Sequence, residues 1–541
     1  MRQGRALLCF VLVFMTACVG SGADRDTAES LRPRGTIRAG LAQLGQLDPP
    51  RADGLSSLTL LRTACDGLIA LNPQTGLPRP ALAASWTLSQ GAQRLTLRLR
   101  SKVLFQDGTP VTAEAIRESL SRVARPATSS PWSRLVSNVV GFPEVQSGAA
   151  THLSGVRLVS PSQLEIDLTQ PFAELPTVLA HPALVPVSLK SLAAQPGGPD
   201  PPVCSGPYQI KAGAKEKAYR LIRGPVRAGP KSAYGGADGL AATIIVTGFD
   251  SPEDAFQAFK AGQVDLTPVP EGQISDVRDQ KGFERAAGPQ LTLLALDPSK
   301  APTNNAKVRQ AISLAIDRLV IIDAAFGDQR QPALGWLPET FEASSASSCE
   351  GFARKIADPA RAKDLLAQSG VDPGSIKLPL IFDPGQFGRL VAQAIQVQLK
   401  DALGIQVEPE PLNAEDFAVS LKARSSAALW MTITDVDLPI PDELVGGLFR
   451  SGSPGNIVGF SDPEVDARID RARKAVAPSD RSKLWTEAEN AVCEQMPVIP
   501  MWRAPGQWVR NTQKASVGGD SMLDLFGGPI LRQLIPGASR A

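Results

Sequence analysis

Beyond residue 240 the chain alternates strand-length apolar runs with helices whose start and stop signals are fully written. Thr243 to Val246 (TIIV), Leu291 to Leu296 (LTLLAL), Ile376 to Phe382 (IKLPLIF) and Gly404 to Val407 (GIQV) read as strands. Ser251-Pro252-Glu253-Asp254 supplies an N-cap residue, a proline at the first helical position and first-turn acids. Phe256 and Phe259 then share one face, and Gly262 ends the helix. Asp358-Pro359 opens another, with Ala362, Leu365 and Leu366 inward and Gly370 as its stop. After the polar loop Thr303-Asn304-Asn305, the residues Val308, Ala311, Ile312, Ala315 and Leu319 form one apolar helical face. Such alternation predicts α/β layers with parallel strand pairing. The first third fits the same plan. Arg34 to Leu41 reads as a glycine-bounded strand, and Gln93 to Arg100 alternates with Leu95, Leu97 and Leu99 on one face. Thr112 caps a helix with Ile116, Leu120 and Val123 on one stripe and Glu114 in its first turn.

A chain of 541 residues has enough material for more than one hydrophobic core. The formal net charge of +2 offers no basic field to nucleic acid or acidic lipid. Aromatic residues are 5% of the chain, too few for a stacking platform for sugars or bases. Arg2 and Arg5 precede an apolar stretch, Ala6 to Thr16, well short of the roughly 20 residues that span a bilayer. It reads as the core of a secretory signal peptide over residues 1–17. Met15-Thr16-Ala17-Cys18 looks like a bacterial lipobox, in which Cys18 carries lipid and becomes the mature N-terminus. Residues 18–34, polar and without apolar periodicity, read as a disordered tether.

With Cys9 in the signal and Cys18 lipidated, Cys65, Cys204, Cys349 and Cys493 remain. In an exported chain they suggest disulfides, with three connectivities open. No C-x-x-C pair occurs, and the two histidines, His152 and His181, lie far from the cysteines and from each other in sequence. A zinc or redox site is not expected, and no cofactor is implied.

Several segments together resemble one family. Gln46-Leu47-Asp48-Pro49, Cys65-Asp66-Gly67-Leu68 and Leu77 to Trp86 (LPRPALAASW) come first, followed by Leu97 to Glu114 (LRLRSKVLFQDGTPVTAE). Ser205-Gly206-Pro207-Tyr208, Ala261-Gly262-Gln263-Val264-Asp265 and Val308-Arg309-Gln310-Ala311 with Ala315-Ile316-Asp317-Arg318 follow in order. Spread over nearly the whole mature chain, these runs resemble the family 5 extracellular solute-binding proteins that serve dipeptide, oligopeptide and nickel-type ABC importers. The resemblance implies a two-lobed, periplasmic-binding-protein-like α/β fold with hinge strands. Lobe 1 would take residues 35–290, with an inserted subdomain at about 83–202. Lobe 2 would take residues 291–504, and residues 505–541 would return to lobe 1. It also implies the disulfides Cys65–Cys204 and Cys349–Cys493, one in each lobe.

The resemblance points to particular ligand contacts too. Asp437-Leu438-Pro439-Ile440-Pro441 is similar to a family loop whose first aspartate receives the ligand's α-amino group. A carboxylate on a dry cleft wall costs little when paired with an ammonium and much when alone. Ile440 and Thr434 depart from the peptide-binding pattern, where a second aspartate and a tryptophan are usual. Arg389, opening the helix Arg389 to Leu399, is the candidate partner for a ligand carboxylate. Asp53, Gly54 and Leu55 should line the opposite wall and pair with an extended ligand. Trp86, Trp132, Trp336, Trp430 and Trp502 are candidates for the cleft floor, though tryptophan is more often core. Asp107 and Arg309 read as turn and ion-pair residues.

The expected function is capture of a small organic ligand, a peptide above all, by a lipid-anchored monomer that docks on ABC permease subunits in the membrane. Two alternatives use the same fold: a regulator or sensor of the envelope, and a receptor for a non-peptide solute. No G-x-S-x-G, H-E-x-x-H, P-loop or metal-spaced cluster supports an enzyme.

Overall fold

The computed structural model describes residues 35–537 apart from 196–200, 214–216, 225–240, 328, 339–340, 342–348, 350–355, 386 and 424–428. The signal, Cys18 and the tether lie outside the described residues. Lobe 1 opens with β1 (Thr36–Ala42) and α1 (Gly54–Ala64). A separate antiparallel sheet follows, built from β2 (Ala83–Ser89), β3 (Arg94–Leu99), β4 (Val156–Ser160) and β5 (Gln163–Asp167), with α2 (Ala113–Ala124) inserted. The chain returns through β6 (Tyr208–Ala212), β7 (Ala218–Arg223), β8 (Thr243–Phe249), α3 (Pro252–Lys260) and β9 (Leu266–Pro268). A long strand, β10 (Phe283–Leu296), crosses into lobe 2. There stand α4 (Ala306–Ala315), α5 (Arg318–Phe326), α6 (Pro359–Ser369), β11 (Lys377–Phe382), α7 (Gly388–Leu403), β12 (Gln406–Pro411), β13 (Leu429–Asp435) and α8 (Pro478–Gln495). A second long strand, β14 (Val498–Arg510), crosses back.

One sheet of eleven strands runs through both lobes in the order β12-β11-β13-β10-β14-β9-β1-β8-β7-β6, with residues 331–332 paired onto β14. Two large hydrophobic cores flank it, with a smaller cluster around Phe256, Val269 and Val509. One core gathers buried side chains from Leu291 to Trp502, and the other from Ile37 to Leu266 together with Leu438, Ile440 and Trp508 to Leu534. Each core holds one disulfide, Cys65–Cys204 or Cys349–Cys493, closing loops of 139 and 144 residues. Loops of that length are worth roughly 4–5 kcal/mol in the chain-entropy account of disulfide stabilisation.

Parallel pairing, expected generally, holds only in part. It joins β1 to β8 and β9, and β11 to β12 and β13. The crossing strands are antiparallel, β10 to β14 and to β13, because the chain leaves and re-enters lobe 1 in neighbouring strands of opposite direction. The helix caps follow the sequence closely. Thr112 Oγ1 accepts the Ala115 N–H at 3.2 Å, Ser251 accepts from Asp254 N, and Asp358 accepts from Arg361 N. Leu319 departs from expectation. Asp317 caps a new helix through the Leu319 and Val320 amides, so the face begun at Val308 ends at Ala315 and Leu319 is exposed.

The shared sequence motifs prove to be struts. Asp48 and Arg122, both buried, pair at 2.8 Å and fix the turn after β1 to α2. Asp265, in the turn between α3 and β9, grips Arg38 through two carboxylate oxygens and locks that turn to β1. Asp107 accepts the Thr109 N–H and hydroxyl and the Ser188 hydroxyl. Arg309 differs from its expected ion pairing. It donates to the carbonyls of Thr303 and Gln495, so it ties down a loop and the end of α8 without a carboxylate.

Candidate functional site

The cleft between the lobes encloses a cavity of about 760 Å³, within the roughly 300–1,000 Å³ of small-molecule sites. Its floor is the crossing pair. The β10–β14 register shifts between Ala286/Gly506 and Gln290/Ala504, and the bulge brings Pro289, Gln290 and residues 504–507 to the cavity. Opposite Gln290, β13 ends at Asp435. The Val436 amide donates to the Pro289 carbonyl at 2.8 Å, so Asp435, Val436 and Asp437 leave the sheet directly into the cleft.

The lobe 1 wall is the start of α1. Asp53 is the N-cap residue and makes no cap hydrogen bond with its side chain. Gly54 sits at φ +70°, where a side chain would be strained, and Leu55 begins the helix. All three line the cavity. Trp132 closes this side, its indole N–H donating to the Ala52 carbonyl at 2.6 Å.

The lining is acidic. Asp53, Glu253 and Asp435 are exposed to it, and among the described residues none of them is ion-paired. The two arginines of the lining are committed: Arg62 to Asp524 at 2.7 Å and Arg330 to Glu271. Asp437 is half-buried at the junction of this cavity with a narrow side pocket of about 70 Å³. The pocket is walled by Leu71, Leu438, Leu525, Phe526, Ile530 and Leu531. Burial raises the Asp437 carboxyl above its usual range against the pull of Arg134, and Asp435 adds to the rise. Arg134 Nη2 lies 2.5 Å from Asp437 Oδ2 and 2.9 Å from Glu443 Oε1. Burial above all pushes Glu443 up to about 7, with Arg134 opposing and Asp437 adding.

Among the residues expected here, Asp437, Asp53, Gly54 and Leu55 converge on one cavity. Arg389 does not join them. Val391, Ala392, Ile395 and Leu399 turn the buried face of α7 into the lobe 2 core, which leaves Arg389 exposed and off the cavity. Of the tryptophans, Trp132 lines the cleft, Trp336, Trp430 and Trp502 are core, and Trp86 packs against lobe 1. Trp508, Arg134 and Glu443 carry no motif and were not expected at the site. The Pro-x-Pro rhythm of Pro268-Val269-Pro270, which lines the cleft, was the legible sign of an irregular wall there. Among the described residues no cluster of His, Cys, Asp and Glu is arranged to hold a metal. His181 is buried against Trp132, its Nδ1 accepting the Ala183 N–H, and burial holds it well below its ordinary pKa.

The model for bacterial extracellular solute-binding proteins, family 5 Middle, matches residues 78–456. The probable deoxycholate-binding periplasmic protein YgiS of Escherichia coli (strain K12) is 26% identical over 473 residues, 85% of this chain and 86% of that protein. The glutathione-binding protein GsiB of Salmonella typhi is 24% identical over 501 residues, 90% of this chain and 92% of that protein. The periplasmic murein tripeptide binding protein MppA, in its unliganded open form, superposes with a TM-score of 0.80 at 21% identity. That match covers 93% of this chain and 98% of MppA. Two lobes, a hinge of crossing strands and an interlobe cavity are what a receptor closing on its ligand requires. The chain belongs to the bacterial extracellular solute-binding proteins of family 5, the extracytoplasmic binding components of ABC importers.

Proposed function

We propose that the protein, a monomer tethered by lipid at Cys18, captures a peptide with a free α-amino group and presents it to an ABC permease. The observation that carries this reading is the acidic wall of the cleft, with half-buried Asp437 at its end and Asp53, Glu253 and Asp435, unpaired among the described residues, along it. A wall of that charge draws in an ammonium and repels a carboxylate. It therefore disfavours an anion that brings no ammonium, such as deoxycholate, the ligand for which the probable deoxycholate-binding protein YgiS is named, and favours a peptide whose amino group can meet the wall. GsiB and MppA are named for glutathione and a murein tripeptide. The side pocket beside Asp437 has room for roughly five water-sized atoms, which suits a small aliphatic side chain next to the amino terminus. Asp53-Gly54-Leu55 offers the ligand an extended wall. Arg389 is left out of this reading because it lies off the cavity.

The test is a double-mutant cycle by isothermal titration. Asp437→Asn keeps size and an acceptor oxygen but removes the charge. Breaking a desolvated charge pair in this way costs about 2–5 kcal/mol, so affinity for a free-amine peptide should fall by at least about tenfold. N-acetylation of the peptide should weaken the wild type by a similar factor and the Asn variant hardly at all. A coupling energy near zero would remove the amino group from Asp437.

A further inference from the structure

Arg134 serves two carboxylates from different parts of the chain. It stands in the short helical turn Ser133–Val136, between α2 and β4, with its guanidinium 5.8 Å from the centre of the Trp132 ring. Its partners follow β13: Asp437 in the loop, and Glu443 in the π-helical turn Asp442–Gly446. The grip is unequal. Glu443 takes one hydrogen bond, from Nη1 to Oε2 at 3.1 Å, and a second ion contact, from Nη2 to Oε1 at 2.9 Å, whereas Asp437 takes a single hydrogen bond through Oδ2. Above about pH 7, where Glu443 is ionised, one cation for two carboxylates leaves a net negative charge in a partly dry wall, and Asp435 lies close enough to add to it. Arg62, the neighbouring cation, is held by Asp524. An uncompensated charge in such a place is costly until a counterion arrives.

We propose that Arg134 is a placeholder: in the empty cleft its guanidinium fills the position beside Asp437 that the ligand's ammonium takes on binding, and Glu443 retains the displaced guanidinium. This rests on the reading that Asp437 receives an amino group. The exchange breaks the hydrogen bond to Asp437 and leaves the hydrogen bond and the ion contact to Glu443 intact. It also converts a cluster of one cation and two anions into one of two and two, so the charge left uncompensated in the empty cleft is neutralised on binding. A ligand without an ammonium cannot bring about that neutralisation. Arg134 and Glu443 are therefore positioning residues that act through Asp437 to set selectivity for free amines.

The experiment uses the full mature protein titrated with trialanine and N-acetyl-trialanine. Removing the competitor with Arg134→Gln should tighten trialanine severalfold. Glu443→Gln deprives the guanidinium of its second seat and should weaken trialanine by about tenfold, the scale of one charge pair. N-acetyl-trialanine should change less than about twofold in both, which also reports an intact cleft. The decisive arm is the double variant. Because Glu443 acts only through Arg134, Arg134→Gln/Glu443→Gln should bind trialanine as Arg134→Gln does. Additive effects would mean that the two residues act merely as a field, and would overturn the exchange while leaving the peptide reading intact. Failure of wild type to bind either peptide would remove the peptide reading and this inference with it.

Discussion

Gly506 and Gly527 meet backbone to backbone beneath the cleft: a Cβ on Gly527 would lie 2.6 Å from the Gly506 Cα, and one on Gly506 would strike the Gly527 carbonyl. That carbonyl also accepts the Trp508 indole N–H at 3.0 Å. The contact fastens the C-terminal loop carrying Asp524 and Phe526 onto the returning hinge strand, where both side chains serve the site.

Gly506→Ala should therefore reposition that loop as well as strain the hinge. Overpacking of this kind costs typically about 1–3 kcal/mol. A lowered melting temperature together with weakened ligand affinity is expected. Full affinity in the variant would show that the loop does not contribute to the cleft.

Stability should depend on pH through Glu489, whose carboxyl is buried in lobe 2 and accepts the Trp336 N–H at 3.2 Å. Burial chiefly raises it from 4.5 to about 7, against hydrogen bonds from Trp336 and Leu337 and the pull of Arg503. Below the lower value both folded and unfolded chains hold the proton, so its stability contribution is complete. Between the two values only the unfolded chain ionises, and stability falls by up to about 1.4 kcal/mol per pH unit. Above about pH 7 the folded chain ionises as well and the loss levels off. Glu489→Gln removes this term, so the variant should gain on the wild type as pH rises through that window. Denaturant titrations across the window check it, and parallel curves would assign the proton elsewhere.

The lipid anchor is tested by Cys18→Ser. The substituted protein should move from the membrane fraction to the soluble one while binding ligand normally. An unchanged distribution would exclude lipid at Cys18 as the tether.

Local chemistry was the legible part of the fold. Thr112, Ser251 and Asp358 cap helices because a short polar side chain before a helical run has one favourable use, and that use needs no distant partner. The place of Asp437 on the cleft wall was legible only through the resemblance of its loop. Arg134 was not legible, since its meaning depends on partners 303 and 309 residues away that only the folded chain brings near. Arg389 lies off the cavity for the complementary reason: its helix forms as read, but its place is decided by which face Val391 and Ile395 bury. Antiparallel crossing was hidden likewise, because strand direction is set by where the chain goes between strands.

The two crossing strands, 14 and 13 residues long, are bonded to each other on both sides of the interruption at Pro289 and Pro505. Such a ladder resists sliding and yields most readily to twist where its bonds lapse. The halves of the molecule thus have one soft coordinate between them, an angle. A ligand that draws the lobes together would change that angle at the outer surface, where an ABC permease would meet posture and not the ligand itself.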